Sequence, residues 1–281
     1  MKVEARGKIN LTLNVLGRRE DGYHDLELIF QPISLSDILT VEKKAEPGLE
    51  FTCTVKELEN EDNLVYRTYE RLLEHYPGIG GLRVHLEKKI PYGSGLGGGS
   101  ADVAALIRAV NQMFGLQLGR KEMMELGKGL GADVPACMLS RAAVGTGIGD
   151  QLSLIDTEME YPLLLLQPKE PFSTAAMYQK LDETAGLSQE YLTEQVKRGL
   201  ETGNLSEICE NLYNVFEEAV PDKDRLQELK ALLVEYGASA SLMTGSGSCV
   251  YGIFKDAPMR DRAFEELKND YEVYVCEAVN R

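Results

Sequence analysis

The run Pro91-Tyr92-Gly93-Ser94-Gly95-Leu96-Gly97-Gly98-Gly99-Ser100-Ala101 carries five glycines between positions 93 and 99. It follows a strand-like stretch, Leu82 to Leu86, and precedes apolar residues at helical spacing, Val103, Leu106, Ile107, Val110 and Phe114. A backbone so free of side chains bends readily and aims several N–H groups at one spot. A helix start adds unpaired amides and a partial positive charge. Phosphate is the natural guest. A turn without a ligand would need only one or two glycines. Gly93-x-Gly95-x-x-Gly98 also satisfies the dinucleotide pattern, but a second helix follows the first where that unit needs a strand ending in an acid. A Walker loop is excluded, because Gly7-Lys8 and Gly127-Lys128 have Lys2 and Glu122 at the position of its leading glycine.

Away from this run, Ile9, Leu11, Leu13 and Val15 alternate with Lys8, Asn10, Thr12 and Asn14, the period of a half-buried strand. An ammonium and two carboxamides thereby share one face. Asp133 stands before Val134-Pro135, where spacing alone favours a helix cap over a proton acceptor. Of three histidines, His75 and His85 fit a solvated helix and strand, whereas His24 follows the turn signal Asp21-Gly22-Tyr23. A polar turn and a binding site weigh equally there.

The run Pro91 to Ser100 resembles the second motif of the GHMP small-molecule kinases. The strand Ala5 to Leu13 resembles their first, and Thr244-Gly245-Ser246-Gly247-Ser248 their third. Within that superfamily, Gly7-Lys8-Ile9-Asn10-Leu11, Arg19-Glu20-Asp21-Gly22-Tyr23-His24 and Gly129-Leu130-Gly131-Ala132-Asp133-Val134-Pro135 resemble the branch that phosphorylates a cytidine diphosphate-linked methylerythritol. The resemblance implies transfer of the γ-phosphate of ATP, accompanied by Mg2+, to the substrate's 2-hydroxyl in the non-mevalonate isoprenoid precursor pathway. It places Pro91, Tyr92, Gly93, Ser94, Gly95, Leu96, Gly97, Gly98, Gly99, Ser100 and Ala101 on the nucleotide. Asp133 becomes the base that takes the hydroxyl proton, with Lys8 paired to it and meeting the transferred phosphate. Asn10 would hold the polyol, Tyr23 stack on cytosine and His24 bond the base edge; Tyr178 would be a second stacking face and Thr174 a nucleotide contact. No residue is assigned to a metal, and Asp102 has no assigned role. Alternatives are a GHMP kinase for mevalonate, homoserine or a sugar, or a relative that binds nucleotide without turnover.

These residues need elements to carry them. The pattern predicts strands at Leu26 to Ile33, Ile38 to Val41 and Phe51 to Val55, a helix from Asn63 to Tyr76, and Ser100 as N-cap of the helix after the glycine run. A helix from Lys121 to Leu130 closes at Gly131. Beyond lie a strand at Leu163 to Gln167, helices within Thr174 to Val220, a helix at Lys223 to Tyr236, strands at Ser239 to Met243 and Cys249 to Phe254, a helix from Pro258 to Leu267 and a strand from Glu272 to Ala278. Their order is β-α-β-β-α-β, the ferredoxin-like arrangement. The fold class is therefore α+β, divided at residues 1–155 and 156–281; the resemblance makes the first half the ATP-binding, ribosomal-protein-S5-like one.

At 281 residues, 43% hydrophobic and 27% charged, the composition is that of a folded globular chain. A net charge of −15 disfavours nucleic acid as a partner, so an anionic ligand must be held by local amides and cations. Five scattered cysteines without a C-x-x-C pair fit a reducing, cytoplasmic setting, and no apolar run reaches membrane-spanning length. A small-molecule substrate and a monomer or homodimer are expected.

Overall fold

The fold is a computed structural model that describes residues 1–184 and 190–280. It separates into two compact units: Met1–Gly7, Ser36–Ile90 and Gly97–Leu139 form the first, and Lys8–Leu35, Pro91–Leu96 and Ser140–Arg281 the second. This partition is discontinuous in sequence because two long strands, β1 (Lys2–Arg18) and β2 (His24–Lys44), contribute to both. The predicted strands at 26–33 and 38–41 are thus one strand.

In the first unit, β3 (Leu49–Cys53) runs parallel to β4 (Gly81–Glu87), and β4 pairs antiparallel with the end of β2, from Ile38↔Glu87 to Lys44↔Gly81. Helices α1 (Leu64–His75), α2 (Gly98–Phe114), α3 (Arg120–Gly127) and α4 (Val134–Leu139) complete the unit. Its core joins Leu39, Val41, Leu82, Val84 and Leu86 of the sheet to Leu72, Val103, Leu106 and Val110 of the helices. The helix expected from Asn63 to Tyr76 is α1, and the side chain of Asn63 caps it through the Val65 amide. Ser100 caps nothing: α2 starts two residues earlier, with Gly97 as N-cap at φ 72°, a backbone angle that glycine alone reaches cheaply. Likewise α3 stops at Gly127, short of Leu130, where its C-cap Lys128 turns to an extended conformation.

The second unit adds the hairpin β5 (Ala143–Gly147) and β6 (Gln151–Leu154), with β5 antiparallel to the start of β2; the sequence reading contained neither strand. Strands β7 (Tyr161–Gln167), β9 (Ala240–Met243), β10 (Val250–Ile253) and β11 (Glu272–Ala278) form an antiparallel sheet in the order β11-β7-β10-β9. That is the strand order 4-1-3-2 of the ferredoxin-like arrangement. Helices α5 (Thr174–Thr184), α6 (Thr193–Thr202) and α7 (Leu205–Glu210) lie between β7 and the short strand β8 (Tyr213–Asn214), while α8 (Lys223–Glu235) and α9 (Ala257–Leu267) are the two helices of the motif. Strand β8 runs parallel to β1 at Thr12↔Tyr213. The half-buried expectation for β1 is corrected here, since Asn10, Thr12 and Asn14 are as buried as the apolar residues between them. The second unit covers that polar face with polar partners of its own: Thr193 bonds both Thr12 and Asn14.

Candidate active site

Three glycine-bearing segments far apart in sequence meet in the second unit. The Asn10 amide donates to Thr244 Oγ1 at 3.1 Å, so β1 is tied to the turn joining β9 and β10. That turn abuts the first half of the glycine run: Gly95 has φ 78°, and a Cβ placed on it would fall 2.2 Å from the Thr244 carbonyl oxygen. Only glycine permits this approach. The Cys249 amide donates to the Ser94 carbonyl and the Lys8 amide to the Leu96 carbonyl, at 3.2 and 2.9 Å, fixing Ser94-Gly95-Leu96 from both sides. Asn214 supports the same turn, donating through Nδ2 to the carbonyls of Met243 and Gly245. Thr174, at the start of α5, bonds Ser246 Oγ at 2.8 Å and so stands beside this turn.

Lys8 and Asn10 share one face of β1, as their spacing requires, with Lys8 Nζ donating to Asn10 Oδ1 at 2.9 Å. That bond fixes the orientation of the carboxamide and turns Nδ2 away from the ammonium. Asn10 Nδ2 is buried with no hydrogen-bond partner among the described residues. A buried donor left unpaired costs about 1–3 kcal/mol, which an acceptor on a ligand would recover. A polyol oxygen is a suitable acceptor.

His24, Tyr178 and Asp182 form a second group in this unit. The His24 ring lies 4.8 Å from that of Tyr178, stacked at 19°, and Tyr178 meets Phe216 edge-on. His24 Nε2 is 2.8 Å from Asp182 Oδ1. Tyr23, beside it, is 61% exposed, an apolar ring turned to solvent.

The first unit holds the rest of the run. Gly97 to Ala101 form the entry to α2, and the Ala101 amide closes onto the Gly97 carbonyl at 2.9 Å. The Gly131 backbone packs on Ser100, whose Oγ would be 2.6 Å from a Cβ at position 131, so the segment leading to Asp133 lies against the entry of α2. Asp133 is half-buried immediately before α4, and its carbonyl accepts from the Cys137 amide.

Beneath the run is a charge cluster that sequence reasoning missed. Lys88, just past β4, donates to Asp37 Oδ2 at 2.5 Å and to Asp102 Oδ2 at 3.0 Å, with all three side chains buried. Asp37 Oδ1 also accepts from the amides of Lys89 and Ile90. Burial opposes the charge on Lys88, but Asp102 and Asp37 outweigh it and hold the ammonium above its ordinary pKa. Burial pushes the Asp102 carboxyl up to about 8, against the pull of Lys88 and with Asp37 adding to the rise. Asp102 therefore supports the loop and is already faced by an ammonium, which does not fit a divalent cation. Among the described residues no group of three His, Cys, Asp or Glu side chains could hold a metal, so the residues present do not form a protein-held Mg2+ centre. The signal for the cluster was a lone acid, Asp37, within the apolar stretch around Ile33, Ile38 and Leu39.

The described residues include no helix long and apolar enough to cross a membrane. Residues 63–141 match the family model for the GHMP kinases N terminal domain, and 193–273 match that for GHMP kinases C terminal. A 4-diphosphocytidyl-2-C-methyl-D-erythritol kinase of Alkaliphilus metalliredigens is 36% identical over 97% of this chain and 94% of its own length. Its namesake from Thermoanaerobacter pseudethanolicus is 38% identical over 96% of this chain and 93% of its own. A crystal structure of a 4-(cytidine 5'-diphospho)-2C-methyl-D-erythritol kinase superposes with TM-score 0.87 at 30% identity, covering all of both chains. With both GHMP family models matched in order and relatives alike along nearly their full lengths, the chain belongs to the 4-diphosphocytidyl-2-C-methyl-D-erythritol kinase family of the GHMP kinases.

Proposed function

We propose that this chain transfers the γ-phosphate of ATP to the 2-hydroxyl of 4-diphosphocytidyl-2-C-methyl-D-erythritol, a step toward isoprenoid precursors. The observation that carries it is the likeness to kinases of that name along nearly the whole chain, and each unit adds local support: in the second, Pro91–Leu96 is held by the turn at Thr244 and by Lys8, and in the first, Gly97–Ala101 is packed by the segment ending at Asp133.

Phosphoryl transfer leaves little covalent work to the protein, so positioning and charge neutralisation dominate. Amides from Gly95 to Ala101 and the start of α2 cradle the phosphates. Asp133 takes the proton of the attacking hydroxyl, and Lys8 offsets charge on the moving phosphoryl group. Asn10 Nδ2 bonds the polyol. Tyr23 stacks on cytosine, His24 bonds its edge, and Thr174 and Tyr178 complete the nucleoside contacts. Mg2+ enters with the nucleotide as counter-charge to its phosphates, and no step is assigned to it. Residues 1–155 supply the phosphate cradle and both candidate catalytic residues; residues 156–281 supply Thr174, Tyr178 and the supporting turn.

An acceptor panel tests the assignment. With Mg-ATP, the cytidylylated methylerythritol should release ADP far faster than mevalonate, homoserine or a hexose. Faster turnover of any of those three would reassign the substrate, and nucleotide binding without ADP from any acceptor would replace the kinase with a sensor.

A further inference from the structure

Helix α5 grips the His24 ring twice. Tyr178 covers its face, and Asp182, one turn further along the same helix, meets its edge at Nε2. Phe216 backs Tyr178 edge-on, so the ring is held from more than one side. An ionised carboxylate can only accept, so Nε2 must carry the proton in this contact. In the neutral ring Nδ1 is then left as an acceptor. Arg18 Nη1 stands 3.7 Å from the other carboxylate oxygen of Asp182, a second cationic side chain beside that carboxylate. Among the described residues Nε2 makes the one hydrogen bond of the ring. The Nδ1 lone pair remains available to a ligand.

We propose that Asp182 is a positioning residue for base selection, fixing His24 as an Nδ1 acceptor that suits the exocyclic amine of cytosine and opposes the carbonyl that uracil presents at the same place. The inference rests on the reading that His24 meets the base edge, and it adds the residue that sets what His24 can recognise. Two acceptors facing each other lose a hydrogen bond and leave a desolvated lone pair unpaired, which predicts selection of cytidine over uridine diphosphates by about 10–100-fold.

Calorimetric titration of the full chain with CDP and with UDP reads this ratio directly, alongside nitrogen NMR of the His24 ring. Asp182→Leu removes the acceptor at Nε2 and should bring the two affinities to within about threefold of each other. Asp182→Asn keeps a carbonyl oxygen there and should retain the selectivity, which a role through charge alone would not allow. The wild-type ring should show a protonated Nε2 and a bare Nδ1. Full selectivity in the leucine variant, or a protonated Nδ1 in the wild type, overturns the proposal while leaving the kinase assignment intact. A wild type that binds neither nucleotide defeats the cytidylyl reading itself, and the selectivity with it.

Discussion

Pro91–Leu96 and Gly97–Asp102 are successive pieces of one glycine-rich run, yet each is held in its own unit by different physics. The first is fixed by backbone on backbone: Gly95 against the Thr244 carbonyl, Ser94 bonded to Cys249, and Leu96 bonded to Lys8. The bonds there join backbone groups, and shape alone forbids a side chain at Gly95. The second is fixed by buried charge, with Lys88 between Asp37 and Asp102 under the entry of α2. Close backbone approach cannot be relaxed by a rotamer, whereas an ion cluster can be tuned by protonation. The two pieces should therefore respond to mutation and to pH in separable ways.

The largest effect is expected at Lys88. Lys88→Met leaves the buried Asp37 and Asp102 side chains without their ammonium partner, which should cost about 3–5 kcal/mol in urea unfolding. Wild-type stability in that variant would mean that the charges do not hold the loop. Next comes Gly95→Ala, which forces a Cβ into the Thr244 carbonyl at a positive φ and should cost about 2–4 kcal/mol and impair ATP binding. Its counterpart, Gly98→Ala, meets the Lys88 ammonium and a methyl of Ile90 at 3.1–3.2 Å, tight contacts but neither with backbone nor at a positive φ; about 1–2 kcal/mol is expected. Equal costs at the two glycines would erase the contrast.

A separate effect is a pH dependence confined to the charged half. Unfolded, Asp102 releases its proton near 3.8; folded, burial holds it to about 8. The folded state thus binds more protons between these values, so this group's contribution is fully present below the lower one, is lost as pH rises, and changes no further above the higher. Urea unfolding between pH 5 and 8 should show stability falling, and Asp102→Asn should flatten that slope. An unchanged slope would show that Asp102 is not the group responsible.

Local patterns foretold much of this molecule. The alternation from Ile9 to Val15, the helix beginning near Asn63 and the ferredoxin-like order of the second half all express periods and turn signals that act within a few residues. The glycine run announced itself through composition. Partnerships across sequence were less legible. The polar residues of β1 looked solvent-facing because nothing nearby in sequence shows Thr193 or Thr244 covering them. Asp37 lies 51 residues from Lys88, and His24 lies 158 from Asp182. The start of α2 was misplaced because Ser100 is a good cap in isolation, while Gly97 has the backbone freedom that the turn demands.

The central claim is that Asp133 and Lys8 serve one phosphoryl transfer at this glycine run. Its most direct test is ADP release with saturating Mg-ATP and the cytidylylated substrate, comparing wild type with Asp133→Asn at matched thermal stability. Loss of general-base assistance predicts a fall in kcat of about 10²–10⁴-fold with substrate binding retained. An asparagine variant turning over at the wild-type rate would contradict the account.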